Sequence, residues 1–220
     1  MDCRTWKNIV NGVKNPTTST ADVHSRIGQA AAAFASLKWR LRKKHNITIK
    51  TKIRLFRTLI IPILLNGSET WTTLKSDVKK LEIFQLRCLR QILGVSLCDH
   101  YRNETVRMKC DNQPLIEEQI QKRRLQWFGH VCRMSTNRLP HKLLWREKPD
   151  HWRVQRAAPK KTWLRNIEED LKNQCMNINV AKNTAMDCQT WKNIVNSAKN
   201  PAAPTAVYWL RGQRAPAIAS

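Results

Sequence analysis

The chain has 220 residues, with 40 Lys plus Arg against 16 Asp plus Glu and a formal net charge of +24. That length holds one domain or two small ones with a real core, and nine Trp argue against a purely disordered basic tail, because large apolar rings need something to pack against. The charge selects a polyanionic partner, since phosphate neutralisation releases counterions, and leaves an anionic membrane surface as the competing choice.

In chain order the apolar residues keep a helical step. Val23, Ile27, Ala30, Phe34, Leu37 and Leu41 fall on one stripe of a first helix. Ile49, Ile53, Phe56, Ile60 and Ile63 repeat the step in a second, with Pro62 predicted to kink its end and Gly67 beyond it. A third helix is predicted over about Asp77 to Leu93, with Leu81, Phe84, Cys88 and Ile92 inward and Gly94 as its stop. A fourth starts near Pro114 and carries Ile116, Ile120, Trp127, Val131 and Met134; a fifth starts near Pro159 and uses Trp163, Ile167 and Leu171; the last contains Trp191. Strand-like alternation is scarce, so the expected class is all-α, an irregular bundle of about five to six helices, with residues 201–220 as a disordered tail.

Seven cysteines at irregular spacing, an odd number with no Cys-x-x-Cys pair, point to reduced, packed thiols in an intracellular protein, nuclear or cytoplasmic, rather than a disulfide framework. Residues 1–21 have no apolar core of signal-peptide length, so secretion is not expected. The longest aliphatic run, Leu59 to Leu65, is broken by Pro62 and is too short for a transmembrane segment.

Two groups of cations stand out. Lys38, Arg40, Arg42, Lys43 and Lys44 close the first helix, and Lys50, Lys52, Arg54 and Arg57 follow on the second. Cations suit a helix C-terminus, but the two sets together form a basic rim across one corner and favour phosphate contact. On the fourth helix, Arg123 and Arg124 are further candidates, since the planar guanidinium suits phosphate geometry. Cys98, His100, His130 and Cys132 could each ligate metal, but the paired spacing of a zinc site is missing, so no metal or other cofactor is expected. His130, beside Gly129, reads as a packed, hydrogen-bonded residue. Glu117-Glu118 and Glu168-Glu169-Asp170 read as solvated helix charge, and there is no Asp-Asp pair of the kind that holds two magnesium ions for nucleotide polymerisation. No small-molecule substrate is expected.

A ladder of motifs joins these segments: Leu64-Leu65-Asn66-Gly67-Ser68-Glu69-Thr70-Trp71, Cys88-Leu89-Arg90-Gln91-Ile92-Leu93-Gly94, Lys122-Arg123-Arg124-Leu125-Gln126-Trp127-Phe128-Gly129-His130-Val131, and Lys161-Thr162-Trp163-Leu164. The series resembles the region that follows the polymerase domain in endonuclease-bearing reverse transcriptases of non-LTR retrotransposons. The resemblance covers about Asp22 to Val195. It implies a thumb-like helical region over 22–110 and a post-thumb helical extension over 111–200, gripping RNA or DNA by its backbone. The family's catalytic residues precede the ladder, so the resemblance implies no polymerase or endonuclease activity. Asn66 stands where the family usually has Tyr, and Arg156-Ala157-Ala158-Pro159-Lys160 replaces a more basic, glycine-containing loop, as expected of a decayed element fragment.

One sequence occurs twice. Met1-Asp2-Cys3-Arg4-Thr5-Trp6-Lys7-Asn8-Ile9-Val10-Asn11 returns as Met186-Asp187-Cys188-Gln189-Thr190-Trp191-Lys192-Asn193-Ile194-Val195-Asn196. The downstream copy resembles the helix that ends such polyproteins, so residues 1–21 read as a stray copy of it, as if two element copies had been joined in one frame. Two copies do not make a repeat architecture. The function expected is sequence-independent binding of RNA or DNA by a catalytically inactive fragment; the alternatives are a basic helical module for protein partners or membrane surfaces, or a relic without function.

Overall fold

A computed structural model describes residues 16–42, 47–145 and 161–197. Among these residues the regular structure is entirely helical, with no strand, as the periodicity predicts. The disordered tail expected at 201–220, most of the upstream repeat copy and Pro159 fall outside the described residues.

Helix α1 runs Pro16–Arg42. Helix α2 is one rod in three pieces, Ile49–Leu55, a π-turn Phe56–Ile60, and Ile61–Leu64. Pro62 explains the π-turn: it has no N–H to give the carbonyl of Thr58, and in a regular helix its ring would press on that carbonyl. The rod widens just before it, and the Ile61 N–H reaches back five residues to Phe56 O. Gly67, in the left-handed region at φ +76°, then turns the chain into a 3-10 turn, Ser68–Thr70.

Helix α3, Lys75–Leu93, stops at Gly94 (φ +74°) as the sequence predicts. A short α4, Asn103–Lys109, leads to α5, Ile116–Cys132. The start of α5 has no local side-chain cap. Glu82 of α3 supplies it from across the fold, its carboxylate accepting from the Ile116 and Glu117 N–H groups while pairing with Arg107 of α4. Then follow α6 (Leu139–Leu144), α7 (Trp163–Lys172), α8 (Ile178–Thr184) and α9 (Cys188–Ser197).

Two apolar clusters hold these elements. In the first, Val23, Ala30 and Phe34 of α1 meet Ile53, Phe56 and Ile60 of α2, Leu81 and Leu89 of α3, and Ile116 and Ile120 of α5. Phe34 and Phe56 pack edge to face with centroids 6.1 Å apart. In the second, Leu125, Phe128 and Val131 of α5 meet Trp163, Ile167 and Leu171 of α7, Ala181 of α8, and Trp191 and Val195 of α9. Each large side chain in these clusters contributes about 1.5–3 kcal/mol by leaving water. Helix α5 belongs to both, turning Ile116 and Ile120 into one cluster and Leu125 to Cys132 into the other.

Three sequence expectations need correction. Ile49, expected inward, lies in the exposed first turn of α2. His130 is exposed, its ring 5.4 Å from that of Trp127, and not packed inside. Glu168 and Glu169 are solvated as expected, but Asp170 is buried, because it shares the inward stripe of α7 with Trp163, Ile167 and Leu171.

Candidate nucleic-acid interface

Most of the motif ladder closes on itself around the middle of α5. Arg123 extends to the end of α2, where Nη1 donates to the Leu65 carbonyl at 2.6 Å. Arg124 turns inward, 6% exposed, and forms a two-pronged pair with Asp170 while Nη1 donates to Thr73 Oγ1 at 2.9 Å. From α7, Trp163 Nε1 donates to the Glu69 carbonyl in the 3-10 turn at 2.8 Å. Ser68, Thr70, Trp71, Thr72 and Thr73 are all buried there, and Trp71 Nε1 donates to Asp22 of α1 at 2.7 Å. The Gly-Ser-Glu-Thr-Trp, Arg-Arg and Lys-Thr-Trp motifs, far apart in sequence, thus form one joint between the two clusters.

The Trp-x-Gly-His motif belongs to the same joint. Trp191 of α9 packs directly against Gly129, where a Cβ would come within 2.2 Å of the indole nitrogen. That nitrogen donates to Leu125 O at 2.9 Å, and the ring centroid lies 5.8 Å from that of Phe128. Only a residue without a side chain admits the ring so close.

The predicted cations divide between this joint and the surface. Arg124 is corrected from a phosphate-contacting candidate to a structural residue, because its guanidinium is enclosed and engaged. Arg123 is half-buried, with one N–H held by Leu65. Lys50, Arg54 and Arg57 share an exposed stripe of α2, spaced by four and then three residues. Arg57 already has an acidic partner, with Nη1 2.9 Å from Asp111 Oδ2 and Nη2 on the Asp111 carbonyl. Lys52 is half-buried beside that stripe. Lys38 is exposed on α1 and donates to Gln91 of α3 at 3.0 Å. The side chains of Arg40 and Arg42, and all of Lys43 and Lys44, fall outside the described residues. Exposed cations not singled out from sequence also occur elsewhere, at Arg87, Arg138, Lys142, Arg165, Lys172 and Lys192.

Several of the acids are committed to contacts within the fold. Asp22 serves Trp71 and Arg26, Asp77 serves Thr20 and Lys80, and Glu82 caps α5. Asp170 is held by Arg124. Burial nevertheless raises the Asp170 carboxyl above its usual range, against the lowering pull of Arg124. Desolvation likewise raises the thiols of Cys88 to about 12 and of Cys110 and Cys132 to about 11. Among the described residues no three His, Cys, Asp or Glu side chains converge on a metal position, and no helix is long and apolar enough to cross a membrane.

The chain is similar to a Caenorhabditis elegans protein named as an uncharacterized transposon-derived protein, 27% identical over 156 residues that make up 68% of this chain. The match spans about half of that relative, 54% of its length. It supports a transposon origin for the chain. No family model matches the sequence, and no solved structure matches it.

Proposed function

We propose that the chain is a catalytically inactive remnant of the thumb and post-polymerase region of a non-LTR retrotransposon reverse transcriptase, retaining sequence-independent binding to RNA or DNA backbones. The observation that carries the binding reading is the imbalance at the surface. Cations outnumber acids 40 to 16, and several of the acids are engaged in internal contacts, which leaves the outward field strongly positive. The exposed stripe of Lys50 and Arg54, with Lys38 on the neighbouring helix, is the proposed first contact with phosphate. The transposon-derived relative and the motif ladder support the retrotransposon ancestry. The lack of an Asp-Asp pair supports the absence of polymerisation.

Fluorescence anisotropy with a structured RNA, a DNA duplex and a single strand, each titrated with salt, tests the reading. Log affinity should fall linearly with log salt, with similar slopes across sequences of one backbone type. Tighter binding to anionic vesicles of equal charge, or no binding at low salt, would overturn it.

A further inference from the structure

The joint at Gly129 has one slot, and the sequence that fills it occurs twice in the chain. Every side chain through which α9 makes a described contact with α5 recurs upstream. Trp191, which fills the slot, corresponds to Trp6. Val195, buried, and Ile194, packed against the same cluster, correspond to Val10 and Ile9. Asn196, whose Oδ1 accepts from Lys122 Nζ at 2.8 Å, corresponds to Asn11. Asp187, which accepts from the Gln189 and Thr190 N–H groups at the start of α9, corresponds to Asp2. Across residues 187–196 the two copies differ only at Gln189, which is Arg4 upstream and exposed in α9.

We propose that residues 2–11 are a second, intramolecular ligand of the Gly129 slot, exchanging there with α9. The first turns of α1 place this segment within reach. Ser19 Oγ accepts from the Thr72 N–H at 3.3 Å, and the next residue, Thr73, is bonded to Arg124. Arg124 lies five residues, about 7.5 Å of helix, before Gly129. The five residues from Asn11 to Pro16, where α1 begins, can span roughly 17 Å when extended. The exchange needs no new chemistry, because one docking face is present in two copies and one indole fits at a time.

Thermal melts of Trp6→Ala, Trp191→Ala and the double variant test the exchange. Trp191→Ala should lower the midpoint by about 2 °C, since Trp6 takes the slot, and Trp6→Ala by less. The double variant should lose about 10 °C, as expected for emptying a buried indole site. A Trp191→Ala loss equal to the double loss, with Trp6→Ala silent in both backgrounds, would overturn the proposal. Thiol cross-linking with a short bis-maleimide, in a background with Cys3, Cys98, Cys175 and Cys188 changed to Ser, gives a second readout that does not depend on the melts. The reagent should join Lys122→Cys to Asn196→Cys, positions whose parent side chains meet at 2.8 Å, and should join Lys122→Cys to Asn11→Cys within one molecule in the Trp191→Ala background. Failure of the second pair where the first succeeds, failure of both, or a bond formed only between molecules would each overturn intramolecular exchange.

Discussion

Arg124 and Asp170, 46 residues apart in sequence, meet inside the molecule as a two-pronged ion pair, Nε to Oδ2 at 2.8 Å and Nη2 to Oδ1 at 2.9 Å. Each sits on the otherwise apolar stripe of its own helix, and together they bind α5 to α7. Arg124→Ala leaves a buried carboxylate alone and should cost about 3–5 kcal/mol. Replacing both, as Arg124→Met with Asp170→Leu, should return most of that loss, because a well-packed apolar pair carries no desolvation penalty. Denaturant midpoints of the three chains check this.

The same pair predicts a pH dependence. The Asp170 carboxyl is raised in the folded protein, chiefly by burial, so the folded state holds this proton more tightly than the unfolded chain does. Its contribution to stability is greatest below the ordinary carboxyl value and is lost as pH rises through the folded one. Removing Arg124 takes away the influence that holds the value down. The deficit of Arg124→Ala relative to the parent should therefore shrink as pH falls from neutral into the mildly acidic range. A deficit unchanged over that range would show that the lost stability comes from packing alone.

Gly129→Ala should be disproportionately harmful for the addition of one methyl group. The new Cβ would overlap the Trp191 ring, and moving the ring breaks its hydrogen bond to Leu125 O. Overpacking of this kind costs about 1–3 kcal/mol, and the lost bond to a buried carbonyl adds about 1 kcal/mol. Pairing it with Trp191→Leu should recover part of the loss, which a double-mutant cycle measures directly.

Thiol labelling should separate the described cysteines into two groups. Cys98, Cys175 and Cys188 are exposed, whereas Cys88, Cys110 and Cys132 are buried with their ionisation pushed upward. A disulfide reagent should modify the first three promptly near neutral pH and the others only as the fold opens. Mass spectrometry of peptides after timed quenching reads the split. Because a raised thiol keeps its proton in the folded state, these three groups should also make stability fall as pH climbs above their ordinary value of 9.0.

The cations should separate by role. Lys50→Ala with Arg54→Ala should reduce the salt slope of nucleic-acid binding by up to about 2 and leave the melting midpoint nearly unchanged. Arg124→Lys should do the reverse, lowering the midpoint with little change in slope, because a lysine cannot reproduce the two-pronged bond to Asp170.

Much of the fold could be read from periodicity, and the reasons for the misses are physical. Helices α1, α2, α3, α5, α7 and α9 each carry enough apolar residues at steps of three and four to declare themselves. Helices α4, α6 and α8 have six or seven residues, too few for a period to stand out, and depend on packing rather than propensity. The basic stripe on α2 was legible because its spacing is local. Arg124 was misread because nothing within a turn of it names Asp170 as its partner. A usable signal was present all the same, in one charged residue of opposite sign on the inward stripe of each of two helices. The role of Gly129 was likewise invisible without Trp191, which lies more than sixty residues away along the chain.

Helix α5 also sets an order on how the molecule can be made. As the chain leaves a ribosome, α1, α2 and α3 emerge first, yet their shared core stays open on one side until Ile116 and Ile120 arrive. The next turn of the same helix brings out Arg124, whose counter-charge Asp170 emerges only 46 residues later. At the slow end of synthesis, about 5 residues each second, that is roughly nine seconds with an unpaired guanidinium at the edge of a half-built interior. Nascent chains halted between these two positions should therefore be the most vulnerable to proteolysis and to chaperone capture.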